Sequence, residues 1–276
     1  MIPPIFIHAA KAGQPGETDL TKEIQVHFAR SGESPVARVA VLALVSLLLF
    51  GGVAFLTWRE LASETSLLPS RVPEGINDAY RRPDVTGLIA DLEAETREVY
   101  RERERIAALA GIEPGMDVAD IGAGSGFMSA IFAQQAGPAG TVYVVDINPA
   151  LLRRATTLAK KAGAAKIEAV LTPEDTVSLP RGSIDLAFLC DTYHHMEHPR
   201  DSLRSIRRAL RRNGELVVVE LDRQPGVSSP WVMGHVRGGK ELFLGEIRRA
   251  GFRLVREEPA PFLKENYVLR FQKRGE

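Results

Sequence analysis

Apolar and polar positions along the chain fall into distinct regimes. Residues 1–37 show no apolar periodicity and are interrupted by Gly13, Pro15, Gly16, Gly32 and Pro35, which predicts a flexible tail. Residues 39–58 then run without a charge, apolar on every side of a helical projection. As a helix they would span about 30 Å, the thickness of a bilayer's hydrocarbon core, so 38–59 is expected to be a transmembrane or signal-anchor helix. No A-x-A cleavage site follows, which favours retention as an anchor. Should Val36 be the true start, the chain would open directly into this run. Pro69, Pro73, Gly75 and Pro83 predict a linker over 60–84.

The remainder, 85–276, has the rhythm of a folded domain. Leu88, Ile89, Leu92, Val99, Ile106 and Leu109 recur among Glu and Arg at helical spacing, predicting a long helix over 85–110 that Gly111 and Pro114 end. Short runs rich in Val, Ile and Leu follow at 117–121, 141–146, 166–171, 184–190 and 215–220, alternating with helical patterns near 126–136, 150–162 and 201–210. Such alternation predicts an α/β fold, a doubly wound, mostly parallel sheet with helices on both faces. A helix over 240–250 and two closely spaced strands at 253–258 and 267–272 add an antiparallel pair at one edge, for seven strands in all.

Charge and cysteine content narrow the chemistry. The 276 residues carry 35 basic and 35 acidic side chains, a balance that offers no general field for polyanions, so no nucleic acid is expected as a partner. A single cysteine, Cys190, rules out an internal disulfide and a Cys-rich metal cage.

The first strand runs straight into Gly122-Ala123-Gly124-Ser125-Gly126 and then a helix. In an open α/β sheet this turn borders the ligand crevice, and glycine lets the backbone approach a ligand closely. A dinucleotide-binding G-x-G-x-x-G is the rival, but Phe127 stands where its last glycine belongs. Asp146, at the end of the next strand, can accept hydrogen bonds from both hydroxyls of a ribose, or cap the helix that follows.

At these residues the chain, over roughly 99–273, resembles the class I S-adenosylmethionine-dependent methyltransferases, the group that includes quinone-biosynthesis enzymes. Asp120, Gly122, Gly124 and Gly126 match that family's glycine motif place for place. The resemblance implies a Rossmann-like methyltransferase fold, S-adenosylmethionine as cofactor, Asp120 toward the methionine ammonium, Asp146 on the ribose and Ile147 against the adenine. It also places Asp175, four residues before Leu179-Pro180, at the adenine amine, with Glu174 as the alternative.

After the fourth strand come Asp191, Thr192, Tyr193, His194, His195, Met196, Glu197 and His198, at the carboxyl end of the sheet where an acceptor would lie. His194 and His195 are candidates to take a proton from the attacking nucleophile, with Asp191 or Tyr193 orienting them; the alternative is a structural His pair. His194-x-x-Glu197-His198 also spells a zinc-protease pattern, but that pattern needs a helix and Pro199 follows at once, so no metal is expected. Trp231, His235, Arg237 and Lys240 lie in an insert that forms either a lid or a surface loop.

The expectation is methyl transfer to a small-molecule acceptor, lipophilic if the anchor brings the enzyme to its substrate. The alternatives are a non-catalytic nucleotide-binding module and an NAD-dependent reductase. The domain is expected to be membrane-anchored and cytoplasmic, or alternatively exported.

Overall fold

A computed structural model of the chain describes residues 71–274. The predicted tail over 1–37, the transmembrane helix over 38–59 and the first part of the linker lie outside the described residues. Among those described, no helix is long and apolar enough to cross a membrane.

The helices α1 (Asp78–Arg81), α2 (Thr86–Leu92), α3 (Glu98–Arg101) and α4 (Arg103–Ala110) precede a regular alternation. This runs β1 (Asp117–Ile121), α5 (Phe127–Ala136), β2 (Thr141–Asp146), α6 (Pro149–Ala162), β3 (Lys166–Leu171), β4 (Ile184–Cys190), α7 (Pro199–Ala209) and β5 (Leu210–Leu221). The chain ends with α8 (Pro230–His235), α9 (Lys240–Arg249), β6 (Phe252–Glu257) and β7 (Asn266–Lys273). They build one seven-stranded sheet in the order β3-β2-β1-β4-β5-β7-β6. The first five strands in that order are parallel, as the alternation of strand and helix predicts.

Alternate residues of the central strands face opposite cores, the period of two that a pleated strand imposes. Ala119, Ile121, Ala187, Leu189, Leu216 and Val218 pack toward α7 and α9 through Leu203, Ile206, Phe243 and Ile247. Val118, Val142, Val144, Phe188, Val217 and Val219 pack on the other face against Phe132 of α5, Leu152 and Ala155 of α6 and Ile106 of α4. With both faces covered, the strands can be nearly continuous in apolar residues, which is why the sequence marks them so clearly.

The expected antiparallel pair at one edge is present: β7 lies between β5 and β6, antiparallel to both, and β6 forms the edge. One expectation is corrected. The helix expected over 85–110 is broken into α2, α3 and α4. Arg97, before α3, has extended backbone (φ −76°, ψ 121°), and the buried Glu98 carboxylate accepts the backbone N–H groups of Lys264, Glu265 and Asn266 at 2.5, 2.9 and 3.1 Å. Those three donors lie just before or at the start of β7, so a tertiary contact fixes the chain direction against a helical propensity that is weak by comparison.

Glu98→Ala would strand these N–H groups where water is scarce. Its stability should fall by on the order of 2–4 kcal/mol, read as a lower urea midpoint with an unchanged m-value.

Candidate active site

The carboxyl ends of β1, β2 and β4 open on one cleft of about 1070 Å³, its mouth included. Its floor is the glycine turn after β1. Gly122, Gly124 and Gly126 have φ of +70°, +55° and +90°, conformations that side chains with a Cβ resist. A Cβ on Gly122 would also overlap Thr192, and one on Gly126 would overlap Ala155 of α6. The turn is therefore pressed between the β4 loop and a helix, while its middle points into the cleft.

Gly124 N–H donates to Asp146 Oδ2 (2.9 Å), joining the turn to the end of β2. The other oxygen, Oδ1, accepts from Asn148 N (2.8 Å), and the Asn148 side chain caps α6 by accepting from Ala150 N and Leu151 N. Asp146 thus lies just before the cap, and Asn148 itself does the capping. Asp120, one residue before the strand ends, is 3% exposed and accepts the Ser129 hydroxyl at 2.5 Å. Burial, with the Asp146 charge nearby, pushes its carboxyl from 3.8 up to about 7. Burial likewise lifts Asp146 to about 6 against the pull of its backbone donors. No Lys or Arg of the described residues offsets either shift, so two costly acids line the floor of a cleft that suits a cationic ligand.

Of the other predicted cofactor residues, Ile147 lines the cleft and Asp175 does not. Asp175 is exposed, whereas its neighbours Thr172, Pro173, Glu174 and Thr176 form that wall. Glu174 is held beside that wall by the Arg81 guanidinium through two hydrogen bonds (2.8 and 2.9 Å).

The four candidates after β4 separate. Tyr193 is fully buried, donates to Glu246 Oε2 (2.7 Å) and packs edge-on against Phe243, so it belongs to the core and not to the cleft. His194 is 1% exposed, and its Nδ1–H donates to Glu220 Oε1 (2.7 Å) behind the cleft wall. Asp191 and His195 do line the cleft. Asp191 is already committed, to Arg97 Nη2 (2.8 Å) and to the side-chain amide of Asn266 (2.7 Å). His195 Nδ1 donates to Asn77 Oδ1 (2.8 Å), because the Asn77 amide nitrogen is itself donating to the His195 carbonyl and to Glu197. That leaves Nε2 as an acceptor. Burial and the neighbouring His194 and His235 rings depress His195 to about 2, so it is neutral at physiological pH. Cys190 borders the cleft as a thiol, its pKa raised well above the ordinary value by burial, and is no nucleophile. In the H-x-x-E-H stretch Glu197 binds Arg81 and His198 is exposed, so that pattern does not converge.

Sequence reasoning missed Asn77, Tyr80 and Arg97, all of which line the cleft. Residues 77–82, expected as linker, are held to the end of β2 by Asn148 Nδ2, which donates to the carbonyls of Tyr80 (2.9 Å) and Arg82 (2.7 Å). Within that linker, the only signal was an amide, an aromatic ring and two arginines where a tether would carry Gly and Ser.

Comparison with known proteins gives the same architecture. Residues 119–218 match a family model described as a methyltransferase domain. The described residues thus have a Rossmann-like methyltransferase fold, with similarity to a methyltransferase domain over residues 119–218. Among curated relatives, the ubiquinone/menaquinone biosynthesis C-methyltransferase UbiE of Cupriavidus taiwanensis is 32% identical over 116 residues, 42% of this chain and 47% of that protein. The protein of the same name from Ralstonia pickettii is 30% identical over 147 residues, 49% of this chain and 60% of that protein. The chain thus spans about half the length of the curated relatives it matches. Among solved structures, a SAM-dependent methyltransferase from Aquifex aeolicus shares the fold with a TM-score of 0.59 and 23% identity, over 69% of this chain and 98% of that one. The [4+2]-cyclase SpnF shares it at 0.60 with 15% identity, over 76% and 99%.

Because the folded-state pKa of Asp120 lies above its unfolded value, its contribution to stability is complete below about pH 4 and is lost as pH rises through about 7. Asp120→Asn should therefore gain stability over the parent as pH goes from 5 to 8, by on the order of 1–4 kcal/mol, measured by urea unfolding at each pH without ligand.

Proposed function

We propose that the chain is an S-adenosylmethionine-dependent methyltransferase with a small-molecule acceptor. The observation that carries this reading is the pair of buried carboxyls, Asp120 and Asp146, beneath a glycine turn tied to one of them. A ligand bearing an ammonium, a sulfonium and a ribose diol matches that donor set. Asp120 would hold the ammonium and Asp146 the diol. Ile147 and the 172–174 wall would flank the adenine, with Glu174 in the place expected of Asp175.

When bound, S-adenosylmethionine supplies a sulfonium methyl open to in-line displacement. The protein's part is alignment, which can be worth on the order of 7–11 kcal/mol at best. Asp191, fixed by Arg97 and Asn266, acts as a positioning residue for the acceptor wall. His195, a neutral imidazole whose tautomer is set by Asn77, lines the same wall as a positioning group and not as a base.

The relatives named for ubiquinone and menaquinone biosynthesis favour a lipophilic acceptor. So does the apolar run at 39–58, which we read as a membrane anchor leaving the domain on the cytoplasmic side, where S-adenosylmethionine is made. A second reading, use of the cleft without methyl transfer, draws on the likeness to SpnF, a protein of this fold named as a cyclase.

Isothermal titration should show one S-adenosylhomocysteine bound per chain, and Asp146→Ala should weaken it at least tenfold, about 1.4 kcal/mol or more. Transfer of labelled methyl to a quinone-precursor phenol should follow; binding without transfer to any phenol, amine or thiol acceptor would favour the second reading. A phosphatase reporter active only in the periplasm, fused to the C-terminus, should stay silent, and activity there would place the domain outside.

A further inference from the structure

Behind the cleft wall, three imidazoles from two separate elements meet. His194 and His195 come from the turn after β4, and His235 ends α8 in the insert that follows β5. Ring centroids are 4.2 Å apart for His194–His195, 5.0 Å for His194–His235 and 5.1 Å for His195–His235. One nitrogen from each ring can be chosen so that all three lie within 4.8 Å of one another.

The hydrogen bonds around the rings decide which nitrogens are free. Glu220, itself fully buried, takes the Nδ1–H of His194, and Asn77 takes that of His195. Both rings are thereby fixed as tautomers whose Nε2 carries a lone pair. For His194 that Nε2 is buried and has no hydrogen-bond partner. A buried, unpartnered imidazole nitrogen is costly unless something occupies its lone pair. A carboxylate behind a ligating imidazole is also how metal sites set the tautomer and raise the basicity of the ring. Of the cations nearby, Arg97, whose charge reaches His195 and His235, is paired with Asp191, and Arg237 is paired with Glu246.

We infer that His194, His195 and His235 form a three-imidazole site for a divalent transition metal of the zinc type. Three neutral His ligands plus one open position is a set that Zn²⁺ accepts, at about 2.0–2.1 Å from each nitrogen. A tetrahedron of that size sets the nitrogens about 3.4 Å apart, so the cluster contracts on binding. His235 is the ring able to move, being half-buried on a six-residue helix and stacked on the exposed Trp231 (centroids 4.4 Å). The site is unrelated to the H-x-x-E-H spelling, of which it uses only His194. Through His195 it shares a wall with the cleft, and through His235 it ties the insert to the turn after β4.

The test is titration of the full chain, freed of metal with a chelator, with Zn²⁺ by calorimetry and with Co²⁺ by visible absorption. One ion per chain should bind with a submicromolar Kd, and Co²⁺ should give the intense d–d bands of a four-coordinate site. His195→Ala and His235→Ala should each weaken binding at least tenfold, while the exposed His198→Ala should leave it unchanged. Circular dichroism confirms that each variant is folded; His235→Ala, at a half-buried position, keeps the test open should His195→Ala unfold. Absence of stoichiometric binding, or binding that survives both cluster substitutions, would overturn the inference. Neither readout involves S-adenosylmethionine, so the result stands apart from the proposed methyl transfer.

Discussion

The hydrogen bond from the Gly124 backbone to the Asp146 carboxylate joins the ends of two neighbouring parallel strands at the point where the sheet opens to ligand. Around it the left-handed glycines, the Asn148 cap of α6 and the Ser129–Asp120 contact at the start of α5 all converge. Each element leaving the carboxyl side of β1 and β2 takes its direction from this small group. The result places two carboxyls where water is scarce and, among the described residues, no basic side chain neutralises them. Such an arrangement costs stability in the free protein and is offset when a cation arrives, the usual signature of a binding site as opposed to a packing device.

The rest of the fold supplies what this site needs. Two apolar cores on opposite faces of the sheet hold the central strands rigid. Buried charges away from the cleft are, by contrast, closely matched: Glu98 with three backbone donors, Arg237 with Glu246, and Arg270 with Glu215 and Glu258. Asp120 and Asp146 differ in that burial outweighs the donors they do have and raises both carboxyls, which marks the site off from the scaffold. His194 Nε2 is among the buried side-chain atoms that lack a hydrogen-bond partner.

Much of this was legible in the sequence because buried parallel strands and glycine turns leave strong local marks. Strands β1 to β4 begin and end at the residues expected, and Asp120, Asp146, Ile147, Gly122 and Gly124 meet at one cleft, while Gly126 packs against Ala155. What was not legible depends on contacts distant in the chain. Glu174 and not its neighbour Asp175 joins the cleft wall, and its partner Arg81 lies 93 residues away. Tyr193 and His195 are two residues apart, yet one enters the core over α9 and the other lines the cleft, a difference set by a single 3₁₀ turn. The role of residues 77–82 comes from Asn148 and Glu197 reaching back to them, and nothing local in a Pro-punctuated stretch announces that. The meeting of His235 with the His194–His195 pair likewise needs the insert folded.

The central claim is that the two carboxyls beneath the glycine turn are held in wait for a cationic ligand. Carbon-13 NMR titration of the Asp120 and Asp146 side chains, without ligand and with saturating S-adenosylmethionine, addresses it most directly. In the free protein the two should titrate near 7 and 6, and both should move down into the ordinary carboxylate range when the ligand binds. Ordinary values near 4 in the free protein, or raised values that the ligand leaves in place, would contradict the account.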